Sequence, residues 1–164
     1  MTRGTALGVA AAVSVIAIGI AYLSVCPAGP QSTPAVYIQH VGASDKPIPP
    51  VVVFAKQPTP AEFDEVLGSD EVVGTAMVSI SVDALGRIIT DCKPLLERSA
   101  DTDSRAYGTF RITVVETGGK LAKTLPGEAA GAMFSEMRRS SGADSQELQT
   151  VLEGLQRRLG VSSE

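Results

Sequence analysis

The chain has 164 residues, a net charge of −4, and 44% hydrophobic but only 4% aromatic residues. That length holds one ordinary domain plus an anchor, and a core of that size forms without metals or many disulfides. The acidic balance argues against a general phosphate-backbone binder, so no nucleic acid is expected as partner; 20% charged residues with ample Val, Ile and Leu argue against wholesale disorder.

Thr5 to Val25 is a run of 21 uncharged residues, mostly Ala, Val, Ile and Leu. As a helix it spans about 31 Å, the thickness of a bilayer's hydrocarbon core. Residues 1–25 therefore read as a transmembrane or signal helix, and the lipid bilayer is a partner of residues 5–25. Three forms remain open: an uncleaved anchor, a cleaved secretory signal, or a lipoprotein signal in which Leu23-Ser24-Val25-Cys26 is the lipobox. Arg3 precedes the segment and the next basic residue is Lys46. The positive-inside rule puts the remainder outside the cytoplasm, in the periplasm or at the cell surface.

Residues 26–34, rich in Pro and small polar residues, form a linker to a domain over residues 35–164. Ala35–Val41 is expected as a strand, and Val51–Ala55 as a strand buried on both faces. Thr59, Pro60 and Glu62 make a capping box for a short helix that Gly68 closes. Thr75–Val82 alternates as a strand, Asp83–Gly86 suits a hairpin loop, and Arg87–Cys92 returns as a strand. Phe110, Ile112 and Val114 mark a strand over Tyr107–Glu116. After the turn at Thr117-Gly118-Gly119, Lys120–Leu125 forms an edge strand whose Lys120 and Lys123 discourage further pairing. Pro126–Arg139 is helical, with Ala130, Met133, Phe134 and Met137 as its apolar stripe. Asp144 and Glu147 are expected to cap a last helix that buries Leu148, Val151, Leu152, Leu155 and Leu159. The expected class is α+β: an antiparallel sheet with one short helix and two C-terminal helices on one face.

Little chemistry is marked. No phosphate-cradling loop, nucleophile elbow or zinc helix occurs, and His40 is the only histidine. The loop Asp101-Thr102-Asp103-Ser104 lacks the Gly and distal Glu of a calcium loop and reads as solvated. No cofactor, metal or catalytic residue is expected. Cys26 and Cys92 are either a lipidated or lipid-facing thiol and a core thiol, or a disulfide worth nominally about 4 kcal/mol. Arg138, Arg139, Lys120 and Lys123 are the charged candidates for an interaction surface.

Pro60-Ala61-Glu62-Phe63, followed by Gly74-Thr75-Ala76-Met77-Val78-Ser79-Ile80-Ser81-Val82-Asp83-Ala84-Leu85-Gly86-Arg87-Ile88-Ile89-Thr90-Asp91-Cys92, resembles the start of a TonB C-terminal domain. The resemblance implies a short helix, a Gly-led strand, an Asp-x-x-Gly-Arg hairpin and a return strand, behind an anchor and a Pro-bearing periplasmic linker. It implies energy coupling to a partner. Nine extended linker residues reach only about 28 Å, too short to cross a periplasm. The leading expectation is therefore a membrane-tethered, extracytoplasmic, non-enzymatic domain that binds an unknown envelope or protein partner, such as an accessory or inhibitor protein. Energy coupling and a hydrolase with an Asp/Glu pair are the alternatives.

Overall fold

The computed structural model of the chain describes residues 31–44 and 46–159. The elements run β1 (Ala35–His40), β2 (Val51–Phe54), α1 (Pro60–Val66), β3 (Ala76–Ser79), α2 (Val82–Arg98), β4 (Phe110–Glu116), β5 (Gly119–Leu125), α3 (Gly127–Ser141) and α4 (Gln146–Arg158). Ser32–Glu164 forms one compact unit. No helix among the described residues is long and apolar enough to cross a membrane, and the expected 5–25 segment lies outside them.

The class is α+β, but the sheet is mixed. Its strand order is β3-β2-β1-β4-β5. Three pairs are antiparallel, whereas β2 and β3 are parallel, with Val51 opposite Ala76 and Phe54 opposite Ser79. A parallel pair needs a crossover of a dozen or more residues. The segment between Phe54 and Ala76, which contains α1, supplies it.

Alternation along the strands splits the core by face. Val36, Ile38, Val51, Val53, Val78, Phe110, Ile112 and Val114 face α2, α3 and α4. Ala35, Tyr37, Val52, Phe54 and Val115 face α1, whose Phe63 meets Tyr37 edge-on with ring centroids 6.2 Å apart. The expectation of all helices on one face is corrected: α1 covers the face opposite the other three. Burial of β2 on both faces explains its uninterrupted apolar run.

The largest correction concerns residues 82–98. The expected hairpin at Asp83–Gly86 and return strand over Arg87–Cys92 are the helix α2. The strand before it ends at Ser79, not Val82. Ser81 caps the helix, its hydroxyl accepting from the Ala84 N–H at 3.2 Å, and Asp83 complements the dipole. Leu85, Ile88, Ile89, Cys92 and Leu96 recur at helical spacing and are all buried. Pro94 lies inside the helix without ending it. The residues quoted for the hairpin of the TonB-like motif thus lie in the first turns of α2.

The remaining elements follow local signals. Thr59 and Glu62 form the expected capping box, and Gly68 ends the turn at a φ of +87°. Strands β4 and β5 form the expected hairpin, with Glu116 opposite Gly119 and β5 at the sheet edge. Asp144 does not cap α4: Gly142, at a φ of +68°, leads into a short 3-10 turn over Gly142–Asp144, and Ser145 takes the cap position.

Candidate functional site

Parallel pairing sets the site. Strands β2 and β3 both end at the same end of the sheet, the usual location of ligand crevices in α/β units. Antiparallel registers bring the start of β1 and the end of β4 there too, since Ala35 lies opposite both Phe54 and Val115. Helix α2 starts at this end. Its first turns project Val82, Leu85, Gly86, Ile89 and Thr90 along one stripe. Pro34, Ala55, Lys56, Glu116 and Thr117 complete a cleft of about 570 Å³.

The lining is mainly apolar. Leu85 and Ile89 are buried, whereas Val82 is 75% exposed. A Cβ at Gly86 would meet nothing within 4 Å, so the cleft stands open above that residue. At the rim, Glu116 is held by Lys93 at 2.5 Å. Lys56 is exposed and has no hydrogen bond or ion pair among the described residues. The cleft can therefore seat an apolar group, with Lys56, unpaired among the described residues, as a cation beside it.

Thr33, the linker residue preceding Pro34, is pinned to the domain. Its N–H donates to Glu62 Oε1 at 2.6 Å, while the Thr59 N–H donates to Glu62 Oε2 at 2.6 Å. These backbone bonds hold the Glu62 carboxyl down at about 2. The chain thus enters the domain at a fixed point on the cleft wall.

A second cleft of about 300 Å³ lies between the β1 end and the α3 start, lined by His40, Phe110, Glu128, Arg158 and Leu159 among others. His40 packs edge-on against Phe110, with centroids 5.0 Å apart, and partial burial lowers its pKa.

The sequence candidates are dispersed. Arg138 clamps α3 to α4: Nε donates to Gln149 Oε1 at 3.0 Å, Nη1 to Gln156 Oε1 at 3.1 Å and Nη2 to Glu153 Oε1 at 2.7 Å. Arg139 pairs with Glu136 on its own helix. Lys120 bonds Glu65 of α1 at 2.9 Å. Lys123 lies on the opposite face of β5, beside Ile112. Cys92 is fully buried and burial pushes its thiol up to about 12. Cys26, and with it any Cys26–Cys92 bond, lies outside the described residues. In the acidic loop, Asp101 accepts from the Thr124 N–H at 2.8 Å and Asp103 from the Arg105 N–H at 2.9 Å. No group of three metal-ligating side chains occurs among the described residues.

Two carboxylates share one partner. The Ser140 hydroxyl lies 2.6 Å from Asp91 Oδ2 and 3.5 Å from Glu136 Oε1. The trio joins α2 to α3 and lines neither cleft.

The cleft wall is masked in the sequence because the alternation up to Val82 and the turn residues Asp83–Gly86 point to a hairpin. The signal was present in the spacing of Val82, Leu85, Gly86 and Ile89 behind a Ser81 cap. Comparison with family models, curated proteins and solved structures returns no match.

Proposed function

We propose that the chain is a membrane-tethered, extracytoplasmic, non-enzymatic binding domain for an envelope or protein partner. Residues 5–25 supply the tether, and Ser32–Glu164 the binding unit. The observation that carries this reading is the apolar cleft at the ends of β2 and β3, opening beside Pro34 with Val82 exposed. A surface that stays apolar at a strand-end crevice fits a binding role. The test joins topology to contact. A reporter fused after Glu164 is expected to be active only outside the cytoplasm. A photo-crosslinking residue at position 82 is expected to capture an envelope component, and one at exposed Glu147 is not. A cytoplasmic reporter, or equal capture from both positions, would overturn the proposal.

One observation favours a second reading, a TonB-like coupling domain. The Ala76 N–H donates to Pro50 and the Ile80 N–H to Phe54, at 2.7 and 2.9 Å. The intervening Met77 and Ser79 therefore turn their backbone groups away from β2, at an edge carrying no Lys or Pro. Such an edge can accept an added strand. Cysteine crosslinking from Ser79 to a receptor's N-terminal segment would support coupling, and absence of any crosslink would dismiss it.

A further inference from the structure

We infer that the cleft along Val82, Leu85, Gly86 and Ile89 takes one acyl chain of a phospholipid from the membrane that tethers the protein. The inference deepens the binding role proposed above and rests on its tether. Three features point to this occupant. The walls are apolar side chains, with open space above Gly86 rather than a pocket filled by the protein itself. Lys56 stands unpaired among the described residues at the rim, suited to a phosphate or other anionic head group, while Glu116 is already neutralised by Lys93. The entry point is short-tethered: Thr33 is pinned to Glu62, so residues 26–32 alone separate the 5–25 segment from the domain. Seven residues can reach no further than about 25 Å even at full stretch, a linker length compatible with a lipid source. An amphiphile with an apolar tail and an anionic head matches the lining, the rim charge and the distance together.

The test uses the 32–164 fragment, which contains the sheet, its four helices and both core clusters, and the full chain in lipid nanodiscs. The probe is a lysophosphatidylglycerol series with tails of increasing length, kept below micelle formation and followed by calorimetry. The expected result is one site per domain, with affinity rising about fourfold per added methylene until the cleft is filled. Gly86→Leu fills the space and is expected to weaken binding at least about tenfold with the thermal transition intact or raised, since Leu replaces Gly in a helix. Val82→Asp should do the same from an exposed position. Lys56→Gln should weaken the anionic-head series and leave lysophosphatidylcholine unchanged. In nanodiscs, a photoreactive acyl chain is expected to label the α2 wall.

No saturable binding by a folded fragment would overturn the inference. So would affinity indifferent to Gly86→Leu, or displacement by apolar peptides with no dependence on tail length. Failure of the tether reads out separately. If the fragment binds lysolipid while the full chain's reporter stays in the cytoplasm, the membrane source is refuted although the cleft binds a tail. If the reporter is exported and no tail binds, the tether stands and the lipid occupant falls.

Discussion

Replacing Arg138 by Ala should destabilise the domain without touching the cleft. The guanidinium makes three bonds to α4, and the decisive one is to Gln156. Gln156 is only 5% exposed. Its amide nitrogen is already committed to the Gly131 carbonyl at 3.2 Å and the Ser135 hydroxyl at 2.7 Å. Its carbonyl oxygen bonds Arg138 Nη1. Truncation leaves that oxygen buried and unpaired, a cost of about 1–3 kcal/mol. The ion pair with half-exposed Glu153 adds at most about 1 kcal/mol. The sum is about 1–4 kcal/mol, or a fall in Tm of about 4–15 °C for a domain of this size. Urea denaturation followed by circular dichroism measures it. Arg138→Lys should recover the charge but not the three-way fork, at a cost of about 1–2 kcal/mol. In the double variant with Gln156→Leu, the orphaned oxygen is gone, so the two losses should fall short of additivity by about 1 kcal/mol or more. A loss for Arg138→Ala under about 0.5 kcal/mol, or strict additivity in the cycle, would refute the clamp.

Three further outcomes are expected. Glu62 carries a carboxyl pKa lowered from 4.5 to about 2, so its contribution is complete above pH 4.5 and is lost as the pH falls towards 2. Because Glu62 is only partly buried, the effect discounted for solvent screening is about 1 kcal/mol; Glu62→Gln should flatten the acid limb of a stability–pH curve, and an unchanged limb would contradict the assignment. Cys92, fully buried with its thiol at about 12, should resist iodoacetamide at pH 8 and react only with unfolding, as read by peptide mass mapping. Rapid native alkylation of Cys92 would place it outside the core. Gly42→Ala sets a Cβ 2.1 Å from the Ala106 carbonyl oxygen, so the loop bonds from Val41 and Gly42 to Thr109 should break at a cost of about 1–3 kcal/mol, measured by denaturation and by amide exchange at Val41.

Local signals carried much of the fold. The capping box at Thr59 and Glu62, the alternation of Phe110, Ile112 and Val114, the Thr117-Gly118 turn and the apolar stripes of α3 and α4 each act within a few residues. Such signals are legible without knowing what the segment packs against. Where two local patterns overlap, the local signal misleads: alternation from Ala76 to Val82 runs into the helical spacing that begins at Val82. The structure resolves the conflict at Ser81, because a helix from Val82 buries Leu85, Ile88, Cys92 and Leu96 against the sheet.

Most element positions, the edge placement of β5 and the uncharged front segment follow from residue order and local chemistry. The parallel pairing of β2 with β3, the cover of the other face by α1, and the meeting of Pro34, Ala55, Val82 and Glu116 at one cleft emerge only from the packed chain. Strand partners and faces depend on contacts between distant residues. Those contacts compete through burial and loop closure across the whole chain, so no short window of residues encodes them.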